Sequence, residues 1–283
     1  MSVDDYTFTL GGDLEVKRLG FGTMRLTGAG IWGQPGSLER ARELLRHAVQ
    51  AGVNLIDTAD SYGPEVAERL IAEALHPYPG DLVIATKGGF ERPGPNQWVP
   101  NCRPDRLRRC CEDSLRRLKL ERIDLYQLHT VDPKVPIEDS IAALAELQQE
   151  EKVRHIGVSN VSLEELDRAR SIVEVVSVQN RYNLADRTAE DMLEVSERDG
   201  LGFLPWAPLA AGDLTKVGDV LNEVARTHGA TPAQAALAWL LQRAEVTLPI
   251  PGTSSIEHFD ENLAAADLEL SDEEVERLSS SAR

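Results

Sequence analysis

Short apolar runs in the first half of the sequence end on ionisable side chains. Asp57 closes Asn54–Asp57, with Tyr62 in the segment that follows. Lys87 follows Leu82–Thr86, and His129 follows Ile123–Gln127. Together these residues suit addition of hydride to a carbonyl carbon, because the charge that develops on the oxygen needs a proton donor within hydrogen-bond reach. Tyr62 has the proton to give, but a phenol in water has a pKa of about 10. The Lys87 ammonium is expected to lower that value, and Asp57 to keep the ammonium charged when it is buried. His129 can hydrogen-bond the carbonyl oxygen and join the relay. Any one of them alone reads as a surface charge or a packed side chain. Their recurrence at the ends of successive apolar runs does not, and lysine is scarce, at six against 24 arginines.

The runs that position these residues alternate with amphipathic stretches, the pattern of βα units on a parallel sheet. Thr7–Thr9 and Glu15–Arg18, joined through Gly11-Gly12-Asp13, predict an N-terminal β-hairpin. Barrel strands are predicted at Gly20–Gly22, Asn54–Asp57, Leu82–Thr86, Ile123–Gln127, His155–Gly157, Val175–Gln179, Gly202–Pro205 and Thr247–Pro249. The expectation is a single (β/α)8 TIM-barrel domain over residues 1–283, with active-site groups at the C-terminal ends of the strands. Helices are expected from Ser37 to Gly52, over Asp105–Leu118, from Thr231-Pro232 to Gln242, and from about Ile256. Gly88–Arg103, rich in Gly, Pro and Asn, is expected to be a functional loop.

Composition excludes several functions. The net charge of −17 over 283 residues argues against nucleic acid and anionic membrane surfaces as partners. An odd set of three cysteines (Cys102, Cys110 and Cys111) shows neither disulfide nor metal-ligand spacing, which implies a reducing compartment. With no apolar leader in Met1–Asp5, the reading is a cytoplasmic protein; oligomeric state is left open. Gly28-Ala29-Gly30-Ile31-Trp32-Gly33 spells a dinucleotide fingerprint, but neither a strand before it nor a helix after it is predicted. It is expected to be a mobile loop over the substrate mouth.

Leu19-Gly20-Phe21-Gly22-Thr23-Met24, the Asp57–Gly63 segment, Ala85-Thr86-Lys87, Asp124–His129 and Ile156-Gly157-Val158-Ser159-Asn160 resemble the motifs of the aldo-keto reductase superfamily, over nearly the whole chain. The resemblance implies a catalytic tetrad on Asp57, Tyr62, Lys87 and His129, and NADPH, in preference to NADH, extended across the barrel mouth. It puts Ser159, Asn160 and Gln179 on the nicotinamide carboxamide and Trp206 against the ring. Gly22, Thr23, Met24, Asp57, Ala207, Pro208, Leu209 and Gly212 are implied as further cofactor contacts. Ile250, Pro251, Gly252, Thr253 and Ser254, with His258, Glu261 and Asn262, match the segment that grips the adenosine 2′-phosphate and adenine. Two departures stand out: Gly252 where many relatives carry Lys, and His258 where Arg is common, so the bidentate grip of arginine is missing.

Candidate residues for a substrate pocket are Met24, Trp32, Phe90, Trp98 and Tyr126. The chain stops soon after its last predicted helix, which argues against steroids. Within the superfamily, Thr7–Gly11, Gly28–Pro35, Val153–Val161, Val178-Gln179-Asn180 and Ala236–Arg243 look like the bacterial pyridoxal reductases. That implies a small carbonyl substrate, with pyridoxal reduced to pyridoxine. A broad aldehyde reductase, a Schiff-base aldolase using Lys87 and a nicotinamide-nucleotide-sensing regulatory subunit are the alternatives.

Overall fold

A computed structural model describes residues 6–210 and 218–281. The chain opens with β1 (Thr7–Leu10) and β2 (Leu14–Lys17), an antiparallel hairpin in register Phe8↔Val16. It then forms β3 (Phe21–Gly22), β4 (Leu55–Asp57), β5 (Val83–Gly88), a small hairpin of β6 (Phe90–Glu91) with β7 (Val99–Pro100), and β8 (Ile123–Leu128), β9 (Val153–Ser159), β10 (Val175–Gln179) and β11 (Gly202–Phe203). Seven of these make one parallel sheet, ordered β3-β4-β5-β8-β9-β10-β11. The predicted strands are all present except the last, within a residue or two at most ends. The β6–β7 hairpin within the 88–103 loop was not expected.

The predicted strand Thr247–Pro249 contributes only a parallel bridge from Thr247 to Phe203. Its last residue, Pro249, and Pro251 beyond it have no N–H to donate, so a regular ladder cannot continue through them. The segment nevertheless bonds to both edges of the sheet. Leu248 N–H donates to Phe203 O at 2.7 Å on one side, while Gly20 and Gly22 N–H donate to Pro249 and Pro251 carbonyls on the other. The result is an α/β barrel.

Side chains alternate between two cores, as strand geometry requires. Leu55, Val83, Ala85, Leu125 and Val176 point into the sheet's concave side with Leu10, Leu14 and Val16 of the hairpin, which therefore plugs one end. Ile56 and Ile84 point outward, to α1 (Leu38–Gln50) and α2 (Val66–Leu75). Tyr126 and Leu128 also point outward, to α3 (Pro104–Leu118) and α4 (Ile137–Gln149). The remaining shell is α5 (Leu163–Arg170), α6 (Glu190–Asp199), α7 (Gly218–Thr227), α8 (Pro232–Arg243), α9 (Ile256–Leu263) and α10 (Asp272–Ser281). Helix starts follow the sequence: Ser37 caps α1, and Thr231 with Gln234 makes a capping box at α8. The three cysteines are buried and unbridged. Among the described residues no helix is long and apolar enough to cross a membrane, and no side-chain group could hold a metal ion.

Candidate active site

The strand alternation that buries Leu55, Ala85 and Leu125 carries on to polar residues at the strands' C-terminal ends. Asp57, Lys87, Gln127, Ser159 and Gln179 occupy the last inward positions, on adjacent strands. Lys87 is completely buried. Its ammonium donates to Asp57 Oδ2 at 2.6 Å, to the Thr58 carbonyl at 2.8 Å and to the Tyr62 hydroxyl at 3.3 Å. The other carboxylate oxygen of Asp57 accepts from Gln179 Nε2 at 2.8 Å and Gln127 Nε2 at 3.4 Å. The charge pair is thus fully hydrogen-bonded, the condition under which a buried ion pair is tolerated. Burial alone would push the Lys87 pKa down, but Asp57 and Tyr62 outweigh it and hold it above the usual lysine value.

Tyr62 and His129 close the site from above. His129 donates its backbone N–H to Gly88 O, and its Nδ1 lies 3.3 Å from the Ser61 hydroxyl. With Ser61 donating to Nδ1, Nε2 carries the proton and can donate to a ligand oxygen. Burial, reinforced by Lys87 and Arg92, holds the imidazole well below its ordinary pKa, so it is neutral. Tyr62 departs from the sequence expectation. Burial raises the phenol's pKa by more than Lys87 lowers it, and Asp57 adds to the rise, so the net direction is upward. The sequence reading weighed the ammonium but neither the burial of the phenol nor the opposing charge of Asp57.

The residues matched to a cofactor form a hydrogen-bonded chain on the same rim. Trp206 Nε1 donates to Asn160 Oδ1 at 2.9 Å, and Asn160 Nδ2 donates to the Ser159 hydroxyl at 3.1 Å. Ser159 Oγ donates to the Gln179 carbonyl at 2.8 Å, which brings the chain back to Asp57. Thr23 bonds the Asp57 carbonyl through both its backbone N–H and its hydroxyl. Ala207, in the left-handed region at φ 51°, leads into Pro208 and Leu209. Gly212 lies outside the described residues.

Opposite them, Gly22 and Gly252 face each other across the β3 seam. A Cβ on Gly22 would stand 2.6 Å from the Ile250 carbonyl oxygen, and one on Gly252 would stand 2.7 Å from that of Gly22. A side chain at position 252 would require the neighbouring backbone to shift. Beside it a cavity of about 460 Å³ is lined by Met24, Arg25, Gly30, Gly252, Thr253 and Ser254. Pro251 stays at the seam, while Ser255 caps α9. His258 faces Glu261 at 3.3 Å, and Asn262 is buried beneath.

Four of the five proposed pocket residues gather near Tyr62 and His129. Phe90 lies 4.8 Å from the His129 ring and 5.3 Å from Trp98, and Trp98 lies 6.4 Å from Tyr62. Met24 packs on Tyr62, and Trp32 bridges to Gly63. Tyr126 does not join them. It is completely buried in the outer core, because it sits one position out of step with Leu125 and Gln127. The 28–33 loop, expected to be mobile, is tied by Gly28 N–H to Gly33 O, Gly33 N–H to Gly63 O and Asn96 N–H to Gly30 O. Sequence reading missed Ser61, Gln127, Arg25 and Arg92. Of these only Gln127 had a visible cue, its shared alternation with Leu125. A Schiff-base role for Lys87 fits poorly, since all three ammonium hydrogens are engaged and the amine is held protonated.

A barrel that gathers a buried lysine–carboxylate pair, a phenol and a neutral imidazole at one strand end is built as an oxidoreductase. The chain belongs to the aldo/keto reductase family, whose model matches residues 18–283. It is 45% identical to the pyridoxine 4-dehydrogenase of Escherichia coli over 279 residues, covering 96% of each chain. It is 48% identical to an uncharacterised oxidoreductase of Schizosaccharomyces pombe over 267 residues, 94% of this chain and 87% of that one. It is also similar to the crystal structure of an aldo-keto reductase from Klebsiella pneumoniae in complex with NADPH, with a TM-score of 0.83 and 30% identity over 97% of this chain and 94% of that one.

Proposed function

We propose that this protein is an NADPH-dependent reductase of small aldehydes, with pyridoxal, taken to pyridoxine, as its substrate. The reading rests above all on Lys87, 2.6 Å from Asp57 and 3.3 Å from the Tyr62 hydroxyl, in a water-poor site beside a neutral His129. NADPH supplies the hydride when bound. Tyr62 donates its proton to the carbonyl oxygen as negative charge collects there. Lys87 steadies the phenolate left behind, Asp57 holds Lys87 in place, and His129 Nε2 orients the carbonyl oxygen by a second hydrogen bond.

The residues fit the cofactor. The Ser159 hydroxyl and the Asn160 and Gln179 amides offer the donors and acceptors a carboxamide needs. The glycine-lined seam at Gly22 and Gly252 admits close backbone approach. Arg25, Thr253 and Ser254 border a cavity whose cation and hydroxyls suit a phosphate, which favours NADPH over NADH. Phe90 and Trp98 suit a flat aromatic aldehyde, and the 45% identity to an enzyme named for pyridoxine points the same way. The same reading takes the chain as one (β/α)8 domain, residues 246–251 standing as the eighth stave, acting in the cytoplasm.

The test is to follow NADPH and NADH absorbance with pyridoxal, benzaldehydes, methylglyoxal and sugars. Faster use of NADPH, with the highest kcat/KM on pyridoxal, is the expected result. Equal kcat/KM across the aldehydes would replace pyridoxal with a broad reductase. No consumption with any carbonyl would end the reductase reading.

A further inference from the structure

Arg92 is a cation in an unusual position. It is 8% exposed, and among the described residues no carboxylate pairs with it. Its guanidinium is instead satisfied by three backbone carbonyls from three different segments: Gln97 at 2.8 Å, Ser61 at 2.8 Å and Gly30 at 3.0 Å. One face lies on the Trp98 ring, 3.6 Å from its centroid, with Trp32 at 5.9 Å. A buried charge without a counter-ion costs stability unless hydrogen bonds and a ring face replace its water. The guanidinium is one of the few groups shaped to do so, being planar with donors that fork to several acceptors.

What it holds is the mouth of the site. Ser61, gripped through its carbonyl, is the residue whose hydroxyl faces His129 Nδ1, and it precedes Tyr62 in the chain. Trp98, held flat against the guanidinium, meets Tyr62, Phe90 and His129 at interplanar angles of 81°, 76° and 75°. We propose that Arg92 is the positioning residue of this mouth, fixing the Trp98 wall against the Tyr62–His129 pair and so selecting flat aromatic aldehydes over aliphatic ones. The proposal rests on the reductase reading above.

The test compares benzaldehyde with methylglyoxal in the full-length enzyme. Arg92→Lys keeps the charge but loses the planar fork. It is expected to lower kcat/KM for benzaldehyde by about tenfold or more, chiefly through KM, and to lower that for methylglyoxal much less. The dissociation constant for NADPH, read by fluorescence titration, is expected to stay unchanged. Trp98→Leu is expected to reproduce the loss of selectivity, and the double variant to add little to it, since both act through one contact. Equal losses on both aldehydes, or additive effects in the double variant, would overturn the proposal. Should Arg92→Lys not fold, Trp98→Leu alone decides, and unchanged selectivity there overturns it as well. A wild-type protein that turns over no carbonyl, pyridoxal included, sinks the reductase reading together with this one, whereas an active enzyme whose variants keep unaltered selectivity sinks this one alone.

Discussion

The Tyr62 phenol sits between opposed influences: burial raises its pKa, the Lys87 ammonium draws it down, and burial wins. At neutral pH the group is therefore a protonated donor, the state reduction needs. His129 is shifted the other way, first by burial and then by Lys87 and Arg92, and stays neutral. The signs combine simply. The imidazole charges only below its ordinary value of 6.5, and the phenol ionises only above its ordinary value of 10.0. kcat/KM for reduction is expected to be flat between those limits, because that quantity reports groups on the free enzyme. An acid limb centred near 6.5 would mean that His129 titrates as a solvated imidazole. Removing the proton donor alone, as Tyr62→Phe, is expected to leave NADPH affinity intact and cut turnover by about 10²–10⁴-fold. Near-normal turnover in that variant would remove Tyr62 from the mechanism.

At the scale of elements, the segment between β4 and α2 serves two sides of the sheet. Tyr62 and Ser61 face the mouth, while Asp60 is buried against α3. There burial, and then the charge of Glu68, push its carboxyl up to about 7, with Cys110, Arg106 and Arg117 pulling it back. A carboxyl whose folded pKa exceeds its unfolded value of 3.8 binds its proton more tightly in the native state. Stability is therefore lost as pH rises from 3.8 through about 7, and the penalty is complete above that. Asp60→Asn mimics the protonated form. It is expected to stabilise the fold at pH 8, by on the order of a few kcal/mol at most, read as a higher thermal midpoint, and to change little at pH 5. A variant with the same offset at both pH values would show that Asp60 does not titrate in this range. Tyr126, on β8, turns to the outer core for a reason the sequence does not show. Strands buried on both faces are apolar throughout, so composition does not say which face is inside.

For the whole molecule, the decisive join is the one between β3 and residues 246–251, where the ring closes and the cofactor is proposed to lie. Backbone meets backbone there without room for a methyl group. Gly22→Ala would put a Cβ 2.6 Å from the Ile250 carbonyl oxygen, an atom that can yield only if the chain shifts. The expected loss is about 1–3 kcal/mol in urea unfolding, with weaker NADPH binding. Gly80→Ala, with nothing within 4 Å of the added Cβ, is the matched control. Equal midpoints for the two variants would show that the seam is not tightly closed.

Alternating apolar runs and helix caps were enough to predict the barrel class, most strand positions and the hairpin, because period and capping are local properties of the chain. Asp57, Lys87 and His129 were legible for the same reason, each standing at or just past the end of a buried run, and Tyr62 by its place in the segment after Asp57. Other features depended on contacts between segments far apart in sequence. Pro249 and Pro251 keep the last stave from forming a ladder, yet it still bonds to Gly20 and Gly22. Tyr126 turns outward. Burial and Asp57 together cancel the acidifying pull of Lys87 on Tyr62. Arg92 draws three loops onto one guanidinium. Desolvation and the meeting of distant carbonyls exist only once the chain has folded, so no local pattern in the sequence could encode them.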